Sequence, residues 1–389
     1  MLILIDSSVV DDGDENTWDD ETVVALDNLA TAHREGKHLV IADRKTSKKI
    51  ARCSRLSENK RNVYKHLCNQ ATQNFRSYPS VVKRYIEVKP CLKPQVVEKS
   101  GQKIIEVPPR FFNDSESIQK TILLCENLDD AVFYETIAKV YLIWKHRNVP
   151  IVCVCEPRGG GGNTISSEYI NIQKQKKRFC LCIVDSDKIA PDGKLGDTAL
   201  GLRKSDSTCT NTQAFILDCR EIENLIPNSI LSELSSGNPQ RLEALKILES
   251  SSVVEVRCFL DIKQGTRLKE IIDAKNLKVK DFWQLKLGLI PNISERIDDW
   301  CQTHWQCSKN SKKSSKNSKK SSKNSKEKCD CQISLGFGEN TLSNTVEYLK
   351  RINNPHEIAR IVDRSMRSDW EQIGQVVMDW CIAESPIRA

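Results

Sequence analysis

Four short apolar runs, TILLCEN, VPIVCVCEP, RFCLCIVDSD and AFILDCRE, follow one another between residues 121 and 221, and each ends in polar or acidic residues. Stretches this rich in Ile, Val, Leu and Cys leave no face for water, so both faces of whatever they form must be covered. The segments between them, LDDAVFYETIAKVYLIWKHR and TISSEYINIQKQKKR, are compatible with helices. Strands alternating with helices read as an α/β unit, a parallel sheet flanked by helices. In such a sheet the strand ends lie along one edge, where polar groups gather.

The flanks read differently. Residues 1–115 open with LILID, an acidic loop, a helical segment ETVVALDNLATAHREGK and a second strand HLVIAD, which together suggest a small α/β N-terminal domain. Asp6 and Asp43 each close one of these strands. LIDSS followed by further acidic residues weakly resembles the start of a PIN-like nuclease domain, but the two aspartates are read as structural carboxylates. Residues 231–389 carry SILSELSS, PQRLEALKILES and NTVEYLKRINNPHEIARIVDRSM, whose apolar residues recur at helical spacing. A mostly helical C-terminal region is expected there.

The chain has 389 residues and a formal charge of +7, long enough for two or three domains. Residues 308–328, a repeat of Lys, Ser and Asn with nine Lys and one Glu, contribute +8, so the remainder sums to −1. The repeat has no apolar residue to offset the entropy of ordering, and a disordered loop is expected. It either adds sequence-independent affinity for phosphates or is a solvated segment without a role. No apolar run approaches the ~20 residues of a membrane helix, and the start lacks the marks of a secretory signal, so a cytoplasmic protein is expected. The 16 cysteines include several within apolar runs and are read as reduced core thiols.

If the central sheet is parallel, Glu126 after its first strand, Asp185 and Asp187 after the third, and Glu221 or Glu223 after the fourth converge in a small volume. Asp130, four residues beyond Glu126, turns toward the same point. Packed carboxylates repel unless some are protonated or a cation sits among them. An all-oxygen donor set suits Mg²⁺ or Mn²⁺.

The order of these motifs resembles a known family. ENLDD fits a strand followed by Glu-Gly-x-x-Asp/Glu, with Asn127 in place of the glycine, VDSD fits a strand ending in Asp-x-Asp, and REIENLIP fits a late Arg-Glu-Ile-Glu-Asn segment. Together they are similar to a TOPRIM domain over residues 118–230, closest to nucleases of the OLD (overcoming lysogenization defect) type and related phage-defence effectors. The resemblance implies a Mg/Mn-dependent nuclease acting on DNA or RNA. It puts metal ligands at Glu126, Asp130, Asp185, Asp187 and Glu223, with Glu221 as the weaker candidate. Catalysis would fall to Glu126, Asp185, Asp187 and Glu223, and Lys188 and Arg220 beside them could offset charge on a phosphate. No Walker loop is present, so the resemblance also implies a separately encoded ATPase or sensor partner; a homo-oligomer is compatible with it, and no membrane partner is implied.

Two readings compete. VDSDK comes close to the Asp-x-Asp start of haloacid-dehalogenase-type phosphatases, and a TOPRIM-like fold without its metal would be a non-catalytic interaction subunit. The glycines of EPRGGGGNT (Gly159, Gly160, Gly161 and Gly162) could offer backbone N–H groups to a phosphate or form a turn without a ligand. Finally, Cys301, His304, Cys307, Cys329 and Cys331 offer enough ligands for a structural Zn²⁺, though the spacing also fits free cysteines flanking a loop.

Overall fold

The structure, a computed structural model, describes residues 1–10, 17–206, 210–305 and 331–387. The Lys/Ser/Asn repeat lies outside them. Two sheets organise the molecule. The first contains β1 (Leu2–Ile5), β2 (Leu39–Ala42), β3 (Arg84–Val88), β4 (Gln95–Lys99) and β5 (Gln102–Val107), in the order β2-β1-β3-β5-β4. All neighbours are parallel except β4 and β5. That pair is a hairpin closed by Ser100 and Gly101, both at positive φ (52° and 78°), the conformation that a two-residue turn between right-twisted strands requires. Three helices serve this sheet: α1 (Asp20–Arg34), α2 (Arg44–Ile50) and α3 (Glu58–Ser77). Asp6 and Asp43 act as caps, accepting from Ser8 N–H and from the N–H groups of Lys45 and Thr46.

The second sheet is fully parallel, with β6 (Ile122–Cys125), β8 (Glu156–Gly159), β9 (Cys180–Val184) and β10 (Thr212–Ile216) in the order β10-β9-β6-β8. Alternation along β6 supplies both faces. Ile122 and Leu124 join Ile165, Tyr169 and Leu202 under α5 (Ile165–Gln175) and α6 (Asp197–Ser205), while Leu123 and Cys125 enter the larger core beneath α4 (Leu128–Lys145). The run VPIVCVCEP departs from the expectation: its Val152–Cys153 segment, β7, pairs antiparallel with β11 (Ile382–Ala383) instead of joining the parallel sheet. The strand that does join is EPRG. As an edge strand bonded only to β6 it needs no apolar run.

The C-terminal region is helical as expected, with NTVEYLKRINNPHEIARIVDRSM split into Thr341–Ile352 and Pro355–Ile361 where Asn353 turns to φ 44° before Pro355. It is not a detached unit. The helix Arg367–Cys381 packs along α4, and one continuous core joins residues from Met1 to Ile382. Among the described residues no disulfide occurs, and nine of the cysteines are buried. No described helix is long and apolar enough to cross a membrane.

Gly374 lets the C-terminal helix approach α4 closely, since a Cβ there would stand 2.4 Å from Tyr141 Cβ. Gly374→Val should therefore destabilise the protein by about 1–3 kcal/mol, the cost of overpacking a tight contact, read as a lower midpoint in urea unfolding.

Candidate metal centre

Three strand ends of the parallel sheet meet at one cavity of about 640 Å³. β6 delivers Glu126, β9 delivers Asp185, and the short turn after β10, Ile222–Leu225, delivers Glu223. Because β6 and β9 are adjacent central strands, Glu126 and Asp185 are neighbours by topology. The wall includes Glu126, Asp130, Asp185, Glu223, Lys263 and Ser343. Six carboxylates line it against a single cation, Lys263, among the described lining residues.

Each acid is held by its own local structure. Asn127 caps α4 at φ −127°, an extended conformation open to any residue, so no glycine is needed there. Its N–H donates to Asp130 Oδ2 at 2.9 Å, leaving the other oxygen of this buried side chain for the cavity. Asp185 Oδ1 accepts from Ile222 N–H at 3.0 Å, tying the third strand end to the fourth. Glu223 is 2% exposed, with Oε1 3.4 Å from Lys263 Nζ and Oε2 buried without a hydrogen-bond partner. Such an orphaned carboxylate oxygen is costly unless something outside the protein fills it.

Electrostatics sharpen this. Burial is the largest cause in every case, and the neighbouring carboxylates add to it. Asp130 is pushed up to about 7, with Glu223 and Glu126 contributing. Asp185 is driven well above the carboxylate range, with Glu223 and Glu126 the next causes. Glu126 is raised by burial and by Asp187, and Glu223 is raised mainly by burial. Lys263 is half-buried, which lowers its pKa, yet Glu223 and Glu221 carry it above the usual lysine value. Burial and mutual repulsion thus both disfavour the charged forms of these acids. The donors are all oxygen, and the pattern fits Mg²⁺ or Mn²⁺ better than a soft metal.

Several expected residues sit elsewhere. Glu221 is pushed up to about 8 by burial and by Glu223, but its Oε1 already accepts from the N–H groups of Ile262 and Lys263 at 2.6 and 3.2 Å. It fastens the Lys263 loop and does not line the cavity. Asp187 is exposed at φ 54° with its carboxylate against Gly196, outside the lining but near enough to raise Glu126. Lys188 is half-buried outside the lining. Arg220 does not face the cavity, because its guanidinium pairs with Asp261 and Glu270 at 3.1 Å each.

Of the two readings of the glycine loop, a phosphate contact or a turn without a ligand, Gly160 and Gly161 fit the turn. Gly160 N–H donates to Cys125 O at 2.7 Å and Gly161 N–H to Glu126 O at 3.1 Å, so these two amides are spent bolting the loop to the end of β6. Gly159 and Gly161 border the cavity, but Gly160 and Gly161 have no N–H left for a phosphate. Gly160 is needed for close approach, since a Cβ would stand 2.5 Å from Ile165.

Lys263 and the Glu339–Ser343 wall were not anticipated. Lys263 lies in an unpatterned loop, DIKQG, and Ser343, whose hydroxyl donates to Asp129 Oδ2 at 2.7 Å, comes from a helix more than 200 residues away. Of the five proposed zinc ligands, Cys307, Cys329 and the His304 side chain lie outside what is described, while Cys301 is buried and Cys331 half-buried.

Among the described residues the one group of three or more His, Cys, Asp or Glu whose ligand atoms all lie within 4.8 Å of one another is His33, His66 and Glu384; the cavity acids line one space without closing to that distance. Val40 N–H donates to His33 Nδ1 at 3.3 Å, so the neutral ring carries its proton on Nε2. That nitrogen faces Glu384 Oε2 at 3.6 Å and has no lone pair for a metal. A metal-bound imidazole instead donates from its other nitrogen. With Tyr78 O–H donating to the second Glu384 oxygen, the cluster is a buried polar contact that secures the Glu384 segment to α1 and α3.

The raised acids set a pH dependence. In chelator, folded Asp130 and Glu221 keep protons up to about 7 and about 8, whereas the unfolded chain releases them near ~4. The folded state therefore binds more protons than the unfolded one across this window, and stability falls as pH rises through it. Thermal unfolding in chelator should show the Tm declining between about pH 5 and 8; Asp130→Asn should reduce that slope, and Mn²⁺ should flatten it in the unmodified protein.

Comparison with protein-family models finds none that matches this chain, and neither a curated protein nor a solved structure with detectable similarity is found.

Proposed function

We propose that this protein is a Mg²⁺- or Mn²⁺-dependent nuclease of TOPRIM type, hydrolysing phosphodiester bonds of DNA or RNA. One observation carries the reading: Glu126, Asp130, Asp185 and Glu223 reach one cavity from three strand ends of a parallel sheet, and a Glu223 oxygen is buried there without a partner. The REIEN segment supports it through local roles. Glu221 N–H donates to Asn224 Oδ1, and the Asn224 amide donates to Arg257 O and Leu260 O, which fixes the direction of Glu223 between them.

Glu126, Asp185 and Glu223, with the free oxygen of Asp130, are the residues that would hold one or two ions. Bound there, such ions would activate a water and polarise the scissile phosphate. The chain's own groups do the rest. Lys263 Nζ, 3.4 Å from Glu223 and 3.7 Å from Glu221, stays protonated among the acids and offers a fixed cation to phosphate oxygens. Glu221 positions it through the Lys263 backbone. The defence role, and regulation by a separately encoded ATPase or sensor, rest on the resemblance to OLD-type proteins alone.

Calorimetric titration of Mn²⁺ tests the site, with plasmid DNA and total tRNA cleavage followed on the same samples. Glu223→Gln and Asp185→Asn should each abolish binding or weaken it by at least about tenfold, and Lys263→Met should spare ion binding while lowering any cleavage about 10²-fold or more. Equal Mn²⁺ binding in all four proteins would sink the reading. Turnover of small phosphomonoesters with no attack on polynucleotide would favour the phosphatase instead.

A further inference from the structure

The near-neutral charge of the chain outside the lysine repeat conceals a strong separation. Residues 43–66 contain nine Lys and Arg against Asp43 and Glu58, a net +7, which leaves −8 for everything outside this segment and the repeat. The structure concentrates part of that charge on one face. α2 buries Thr46, Ser47 and Ile50 against α3, and Arg44, Lys45, Lys48 and Arg52 stand exposed on the other side. Arg44, Lys45 and Lys48 lie within about 100° of one another around α2, and Arg52 follows in the turn that ends it. Nearby cations are otherwise employed: Lys49 donates to Val10 O, Arg55 pairs with Asp20 and Lys60 with Asp27. Among the described residues, Arg44, Lys45, Lys48 and Arg52 form no ion pair.

We propose that this face is a contact surface for the phosphate backbone of a polynucleotide. An anionic membrane would be held by basic residues together with inserted apolar side chains, and none of the exposed large apolar residues falls within 43–66. A polynucleotide needs only cations at phosphate spacing. The choice of this polyanion rests on the nuclease reading. The surface is separate from the metal centre, however. The two sheets adjoin through the starts of their strands, where His38 packs edge-on against Phe179 at 5.8 Å and Arg84 donates to Gln213 Oε1. α2 follows the far end of β2 and the cavity follows the far ends of β6 and β9. Each therefore follows the strand ends that point away from the seam, and an extended partner could engage both.

The test is fluorescence anisotropy with a labelled 30-base-pair DNA duplex in EDTA, which removes cleavage from the measurement. The combined variant Arg44→Gln, Lys45→Gln, Lys48→Gln, Arg52→Gln should bind at least about tenfold more weakly, with a salt slope smaller by about 3 to 4, close to one per lost phosphate contact. A control losing equal charge elsewhere, Lys93→Gln, Lys99→Gln, Lys246→Gln, Lys275→Gln, should bind like the unmodified protein. Thermal unfolding of both verifies that these exposed substitutions leave the fold intact. Unchanged affinity and slope in the first variant, or equal losses in the two, would overturn the proposal. So would binding of the unmodified protein to phosphatidylserine vesicles and not to duplex. Glu223→Gln separates the two claims: patch-dependent duplex binding without Mn²⁺-dependent cleavage in any protein would defeat the nuclease reading and leave this surface standing.

Discussion

The fold depends on a seam at which two sheets meet by their strand starts, and Trp380 is its centre. The Trp380 carbonyl accepts from Thr121 Oγ1, just before β6, and its indole N–H donates to Gln213 on β10. The Arg84 guanidinium at the start of β3 lies 4.7 Å over its ring and also donates to Gln213. One buried residue thus touches both sheets, through its backbone carbonyl, its indole N–H and a cation–π contact of its ring. Next to it, Asp379 accepts from Lys83 N–H and Ile382 accepts from the Met1 amino group. This seam also forces the strand ends of the two sheets to face away from each other, which keeps Asp6 and Asp43 apart from the acidic cavity.

The cavity shows the opposite economy. Here carboxylates are brought together where burial and mutual repulsion both act against their charged forms. The surrounding structure over-determines their positions: the capping contact behind Asp130, the Ile222 N–H on Asp185, and the Asn224 bracket behind Glu223 all hold acids that would otherwise move apart. Such local destabilisation is typical of sites built for a ligand.

Much of this was legible in the residues. TILLCEN and RFCLCIVDSD declared central strands because apolar runs of that length require cover on both faces, and the acids that end them had to share an edge. What could not be read was anything set by long-range packing. EPRG carries no strand pattern, because an edge strand bonded to β6 on one side needs none. IVCVC looked like a sheet strand, yet its partner is Ile382–Ala383, more than 200 residues away. Arg220 and Lys188 stood beside ligands in sequence but were directed elsewhere by Asp261, Glu270 and the turn at Asp187. Lys263 lacks any local signal, and its loop is held at the site by Glu221 on its N–H and by Gly338 N–H on its carbonyl.

The edge strand β8 has a consequence for assembly. Pro157 lacks an N–H, and its neighbours Glu156 and Arg158 are drawn into ion pairs with Arg178 and Glu168. An exposed strand edge invites another chain to extend the sheet unless proline or charge spoils the template. This edge leads directly into the glycine loop beside the cavity, so the molecule resists strand addition at the border where a sheet-to-sheet partner would crowd the entrance.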